Sequence, residues 1–85
     1  MPNKDWQSLG FVEASKHRKK IVKILEEDKA TPSKISESSG IRISHVSSTL
    51  SDLRSKDIVE CLNPEMRKGK LYTLTEKGKW IADNS

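Results

Sequence analysis

Six side chains that can hydrogen-bond, Arg42, Ser44, His45, Ser47, Ser48 and Ser51, crowd into the run GIRISHVSSTLSDLRSKDIVE between Gly40 and Glu60. In the same run Ile43, Val46, Leu50 and Leu53 recur at steps of three, four and three. That spacing predicts a helix over about 43–56 with those four residues in the core and the polar groups outside. Serine is a mediocre helix former, because its hydroxyl competes for backbone hydrogen bonds. Each one costs about 0.5 kcal/mol relative to alanine. A face of short hydroxyls nevertheless has a use. It lets a helix sit deep in a nucleic-acid groove and donate to a phosphate or a base edge. Arg42 and His45 add longer reach, and an arginine can hold guanine O6 and N7 with two hydrogen bonds. The bland alternative is a solvated face with no task. The tight turn before this helix and the basic hairpin after it weigh against that alternative.

Other chemistry finds little support. His17 and His45 fall on different predicted helices, and Cys61 falls in a predicted strand. No metal-ligand spacing and no glycine-rich phosphate loop occurs. The carboxylates of EED at Glu26–Asp28 end a helix and read as solvated. No catalytic residue, metal site or cofactor site is therefore expected, and the protein is not expected to be an enzyme. A lone cysteine cannot form an intramolecular disulfide and suits a reducing compartment. Cys61 reads as a packing residue of the first wing strand; a redox sensor would need an exposed, low-pKa thiol. No apolar run has transmembrane length, and MPNKDWQSLGFVEA lacks the continuous apolar stretch of a signal peptide. The cytoplasm is the expected location.

The elements that position these groups follow from local signals. With 85 residues the chain is one domain with a small core. A net charge of +4 favours an anionic partner, nucleic acid first. Residues 1–14 form an N-terminal extension, in which Trp6, Leu9 and Val12 lie three apart and suit a short helix. A first firm helix runs from about Ser15, a capping residue, to Asp28, with Ile21, Val22, Ile24 and Leu25 inward and Lys16, Arg18, Lys19, Lys20 and Lys23 outward. Thr31 before Pro32 starts a short helix that Gly40 stops. Ser36 lies where a small side chain admits a neighbouring helix. After the serine-rich helix, Asp57 stands where glycine would be the easy left-handed residue. IVECLN and KLYTL then read as two strands around PEMRKG, a hairpin with Arg67, Lys68 and Lys70 at its tip. Those three cations suit phosphate or minor-groove contact. Tyr72 reads as core rather than as a base-stacking platform. Thr75 caps a last helix carrying Trp80 and Ile81.

Helix, short helix, turn, helix and hairpin make a mainly α fold with a small β-hairpin, a winged helix-turn-helix over 15–85, with the wing at 59–74. From Lys16 to Lys79, about three quarters of the chain, the sequence resembles archaeal winged-helix transcriptional regulators of the broad MarR/ArsR-like type. The matching stretches are KHRKKIVKIL, TPSKISESSGIRISHVSSTLSDLRSKDIVECLNP and RKGKLYTLTEKGK. Ser36 replaces the alanine usual in the first helix of the motif, and Asp57 replaces a usual glycine. The chain ends soon after the wing, short of the long C-terminal helix by which many such regulators dimerise. The resemblance implies a sequence-specific regulator of double-stranded DNA, with the 43–56 helix in the major groove and the wing on the backbone or minor groove. A winged-helix module for protein–protein contacts in a larger complex is the rival. Trp6, Leu9, Phe11, Val12, Trp80 and Ile81 are more apolar residues than the two ends of a small core require. A homodimer through them is expected.

Overall fold

The computed structural model describes residues 6–84. Five helices and one hairpin follow in the order α1 (Trp6–Glu13), α2 (Lys16–Glu27), α3 (Pro32–Ser39), α4 (Ile43–Ser55), β1 (Val59–Cys61), β2 (Tyr72–Leu74) and α5 (Glu76–Asn84). This is the winged helix-turn-helix architecture expected from the sequence. Residues 1–5 of the N-terminal extension lie outside the described residues.

Local chemistry sets the boundaries. The Ser15 hydroxyl accepts from the Arg18 amide and caps α2. Thr31 caps α3 through the Lys34 amide, with Pro32 in the first turn. Both are side-chain oxygens satisfying amides that have no partner inside the helix. Gly40 ends α3 at φ 75°, a left-handed conformation that glycine adopts without steric cost. The turn is then tied by two serines. Ser36 Oγ donates to the Ile41 carbonyl at 2.6 Å, and Ser39 Oγ accepts from the Ile41 amide at 3.1 Å. The hydroxyl at 36 thus has a bonding partner that an alanine would lack.

Helix α4 ends in a Schellman turn. The Ile58 amide donates to the Leu53 carbonyl at 2.9 Å, and Asp57 takes φ 63°. The hairpin pairs Val59 with Leu74, Glu60 with Thr73 and Cys61 with Tyr72. A single bridge adds Ala30 to its outer edge, with reciprocal Ala30–Tyr72 bonds of 3.0 and 2.9 Å. The segment between α2 and α3 is thereby stitched to the wing.

The TEKG stretch seats α5. Thr75 Oγ1 accepts from the Gly78 amide and caps the helix at 3.0 Å, while donating to the carbonyls of Asp57 and Ile58. Gly78 is buried so close to the Ile58 carbonyl that a Cβ would collide with it.

The core includes Ile21, Val22 and Leu25 from α2, Ile35 from α3, Val46, Leu50 and Leu53 from α4, Ile58, and Val59 and Leu74 from the hairpin strands. Two expectations are corrected here. Ile43 is 51% exposed, not core. Val12 and Ile81 are fully buried, so neither is available to a second copy. Helices α1 and α5 cover α2 and each other, and each contributes one large residue to the interior. Among the described residues no helix is long and apolar enough to cross a membrane.

Candidate nucleic-acid interface

The exposed side of α4 divides into three stripes. At about 100° per residue, Val46, Leu50 and Leu53 define the buried direction. Ser44, Ser48, Ser51 and Ser55 then fall opposite it and form the crest. Every one of them is exposed. Ser55 Oγ turns back to the Asp52 carbonyl at 2.6 Å. The hydroxyls of Ser44, Ser47, Ser48 and Ser51 make no hydrogen bond among the described residues, which leaves their donors and acceptors for an outside partner. Because serine is short, no side chain on the crest holds another surface away.

One flank of the crest faces the wing. Ile43 and Ser47 of α4 line a groove with Thr31, Pro32 and Ser33 at the start of α3. Its far wall is Arg67, Lys68, Gly69 and Lys70. The sequence placed these cations at a hairpin tip; the structure brings them across from Ser47. Asn63 builds that tip. Its Oδ1 accepts from the Leu71 amide at 2.7 Å and its Nδ2 donates to the Gly69 carbonyl at 3.2 Å, bridging the base of the loop. Gly69 turns at φ 68°. Nothing in the sequence pattern distinguished Asn63, because its bonds run to residues six and eight positions away.

The other flank faces α2. Arg42 and His45 look across a groove at Lys16, His17, Lys19, Lys20 and Lys23, floored by Gly40 and Ile41. The rings of His17 and His45 lie 5.6 Å apart, tilted by 43°. Lys20 Nζ donates to the Ser39 carbonyl at 3.1 Å, and Lys19 reaches Glu13 at 3.2 Å. Arg18 is not part of this wall: its guanidinium sits 3.7 Å over the Phe11 ring and donates to the Phe11 carbonyl. The two longer candidate readers, Arg42 and His45, therefore stand on this flank rather than on the crest.

Neither groove has a carboxylate among its described lining residues. Cations are concentrated on both sides of a hydroxylated ridge that is neutral over its first two turns; Asp52, exposed beside Ser48 and Ser51, is the one acidic residue of α4 and lies in its C-terminal half. No side chain caps the first turn of α4, so its amide dipoles reinforce the positive potential there. Cys61 is half-buried in β1, with Sγ 3.6 Å from Asn63 Oδ1. No group of three or more His, Cys, Asp or Glu able to hold a metal occurs among the described residues.

Where α1 meets α5, Trp6 stacks edge-on against Trp80 at 5.3 Å. Trp6 is 58% exposed, and Leu9, Phe11 and Trp80 are half-buried against the core.

No protein-family model and no curated protein matches the sequence. Solved structures do match. MarR from E. coli, as a cysteine-to-serine mutant in complex with operator DNA, superposes at TM-score 0.75 with 24% identity, over 89% of this chain and 56% of that one. ZitR from Lactococcus lactis, as a mutant altered at one cysteine and one histidine, superposes at TM-score 0.72 with 25% identity, over 82% of this chain and 49% of that one. The homodimeric winged helix-turn-helix DNA-binding domain Mb0332 from Mycobacterium bovis, described as a possible ArsR-family regulator, gives 0.70 and 19%, over 85% and 65%. This chain thus spans about half to two thirds of the length of these neighbours. The likeness establishes that the chain has the winged-helix fold found in MarR-type and ArsR-type regulators.

Proposed function

We propose that the protein is a transcriptional regulator that binds double-stranded DNA in a sequence-specific way in the cytoplasm. The observation that carries this function is the serine crest of α4 between two basic grooves with no carboxylate among their described lining residues. A major groove is about 12 Å wide and bordered by a phosphate strand on each side. A slim helix with cations on both flanks complements that section. In this arrangement Ser44, Ser48 and Ser51 meet base edges, with Ser47, Arg42 and His45 at their margins. Arg67, Lys68 and Lys70 attract the phosphates, or enter the minor groove, on the wing side. The domain at 15–85 does the binding, and 1–14 extends it. Two copies pair through Trp6, Leu9, Phe11 and Trp80, which would present two α4 helices to paired half-sites. A single species of monomer mass in sedimentation at micromolar concentration would remove the pairing and leave the DNA reading in place.

Affinity for a selected duplex and for a scrambled one, across a salt series, tests the function. Arg42→Ala is expected to cost about 1–3 kcal/mol on the selected duplex and much less on the scrambled one. Ser47→Leu is expected to block close approach with the fold intact, because position 47 is exposed. If both folded variants bind the selected duplex as tightly as the unaltered protein, α4 is not the reader, and a protein-binding winged helix takes precedence.

A further inference from the structure

Ile43 is the one apolar residue of α4 that stays exposed, among hydroxyls and cations. It stands in the first turn of α4, 51% exposed, and lines the wing-side groove beside Ser47. Its neighbours on the crest discriminate weakly, because a serine hydroxyl both donates and accepts and so fits several base edges. An isoleucine cannot do that. It gains only by leaving water, and it leaves a polar group placed against it unpaired. Along the major groove the base pairs of DNA present one apolar group, the C5-methyl of thymine.

We propose that Ile43 is a specificity-determining residue that packs against a thymine methyl, selecting duplexes with thymine at one fixed position opposite the first turn of α4. The assignment rests on the DNA function proposed above. Branching at Cβ restricts the side chain to few rotamers, so little conformational freedom is lost on contact. Arg67 and Lys68 on the facing wall of that groove offer a phosphate strand a hold on the same side.

The test needs a duplex selected from a random pool and a set of derivatives in which each thymine in turn becomes deoxyuridine. That change deletes the methyl and keeps O4 and the Watson–Crick edge. At one position, or at its symmetry mate in a paired site, the unaltered protein is expected to lose about fourfold in affinity, the effect of burying one methyl-sized group. Ile43→Ser is expected to bind the thymine and uracil duplexes equally, and Ile43→Val to keep the preference. Thermal melts by circular dichroism check that both variants fold. A selected duplex in which no thymine methyl matters overturns the Ile43 assignment and leaves the DNA function standing. So does an Ile43→Ser variant that keeps the full preference. Failure to select any duplex overturns the DNA function and the assignment with it.

Discussion

The two flanks of α4 carry the same sign of charge and are built on different principles. On the α2 side, Lys16, Lys19, Lys20 and Lys23 project from a helix whose opposite face supplies Ile21, Val22 and Leu25 to the core. Burial holds that flank in place. On the wing side, Arg67, Lys68 and Lys70 sit on a turn with no buried residue between Asn63 and Lys70. A single amide side chain, Asn63, ties that turn together. Cations can therefore be positioned by packing or by hydrogen bonding, and the two methods fail differently. Loss of a packing residue unfolds the domain; loss of a tying residue loosens one loop.

The largest expected effect comes from the floor beneath the wing. Gly78→Ala drives a Cβ into the Ile58 carbonyl, a backbone atom that cannot step aside without moving β1. A loss of about 2–3 kcal/mol is expected despite alanine's better helix propensity, read as a lower midpoint in denaturant unfolding. A midpoint equal to that of the unaltered protein would show that α5 and the hairpin are not tightly docked. Next, Asn63→Ala leaves the half-buried Leu71 amide without its acceptor. A cost of about 1–2 kcal/mol is expected. Amide exchange should quicken at the wing tip and stay slow in α2, and equal changes in both would erase the contrast between the flanks.

Single-cation variants sharpen the comparison further. Lys68→Ala should weaken selected and random duplexes about equally and lower the salt dependence by roughly one counterion. Lys23→Ala is its partner on the α2 side, and a similar loss there would show that both flanks hold phosphates. The smallest effect expected is a gain. Asp57 occupies the left-handed region at φ 63°, where a Cβ costs about 1 kcal/mol, so Asp57→Gly should raise the melting temperature slightly. The Asp57 carbonyl that accepts from Thr75 is backbone and survives the change.

Helix starts and stops were legible in the sequence because caps are local. Ser15, Thr31 with Pro32, and Gly40 act within three or four residues of themselves. Asp57 was legible for the same reason. Ile43 was misplaced because periodicity locates the middle of a buried arc better than its edges. At the first turn of α4, the helix projects past the core, so an apolar residue at the margin of the arc stays in water. Val12 and Ile81 were misplaced in the opposite sense. The interior of so small a fold is limited, and α1 and α5 each complete it with one large buried residue. The two flanks were only half legible. The sequence names the lysines, but which of them converge depends on how α2 and the wing pack around α4. Arg18, claimed by Phe11, shows how a cation one position away from Lys19 is drawn elsewhere.

The Ala30–Tyr72 bridge has a mechanical consequence. The hairpin leaves the body of the protein at Ile58 and is clamped again at Tyr72 by a backbone segment from between α2 and α3. Two backbone bonds restrain the base of the hairpin, and neither of them reaches its tip. The span from the α2 lysines, across α4, to the root of the wing is thus set like the jaws of a caliper. On the DNA reading proposed above, such a gauge would test a duplex by its dimensions before any base is read. On that same reading, the wide major groove of B-form DNA suits α4 and its flanks, and the deep, narrow major groove of an A-form RNA duplex does not.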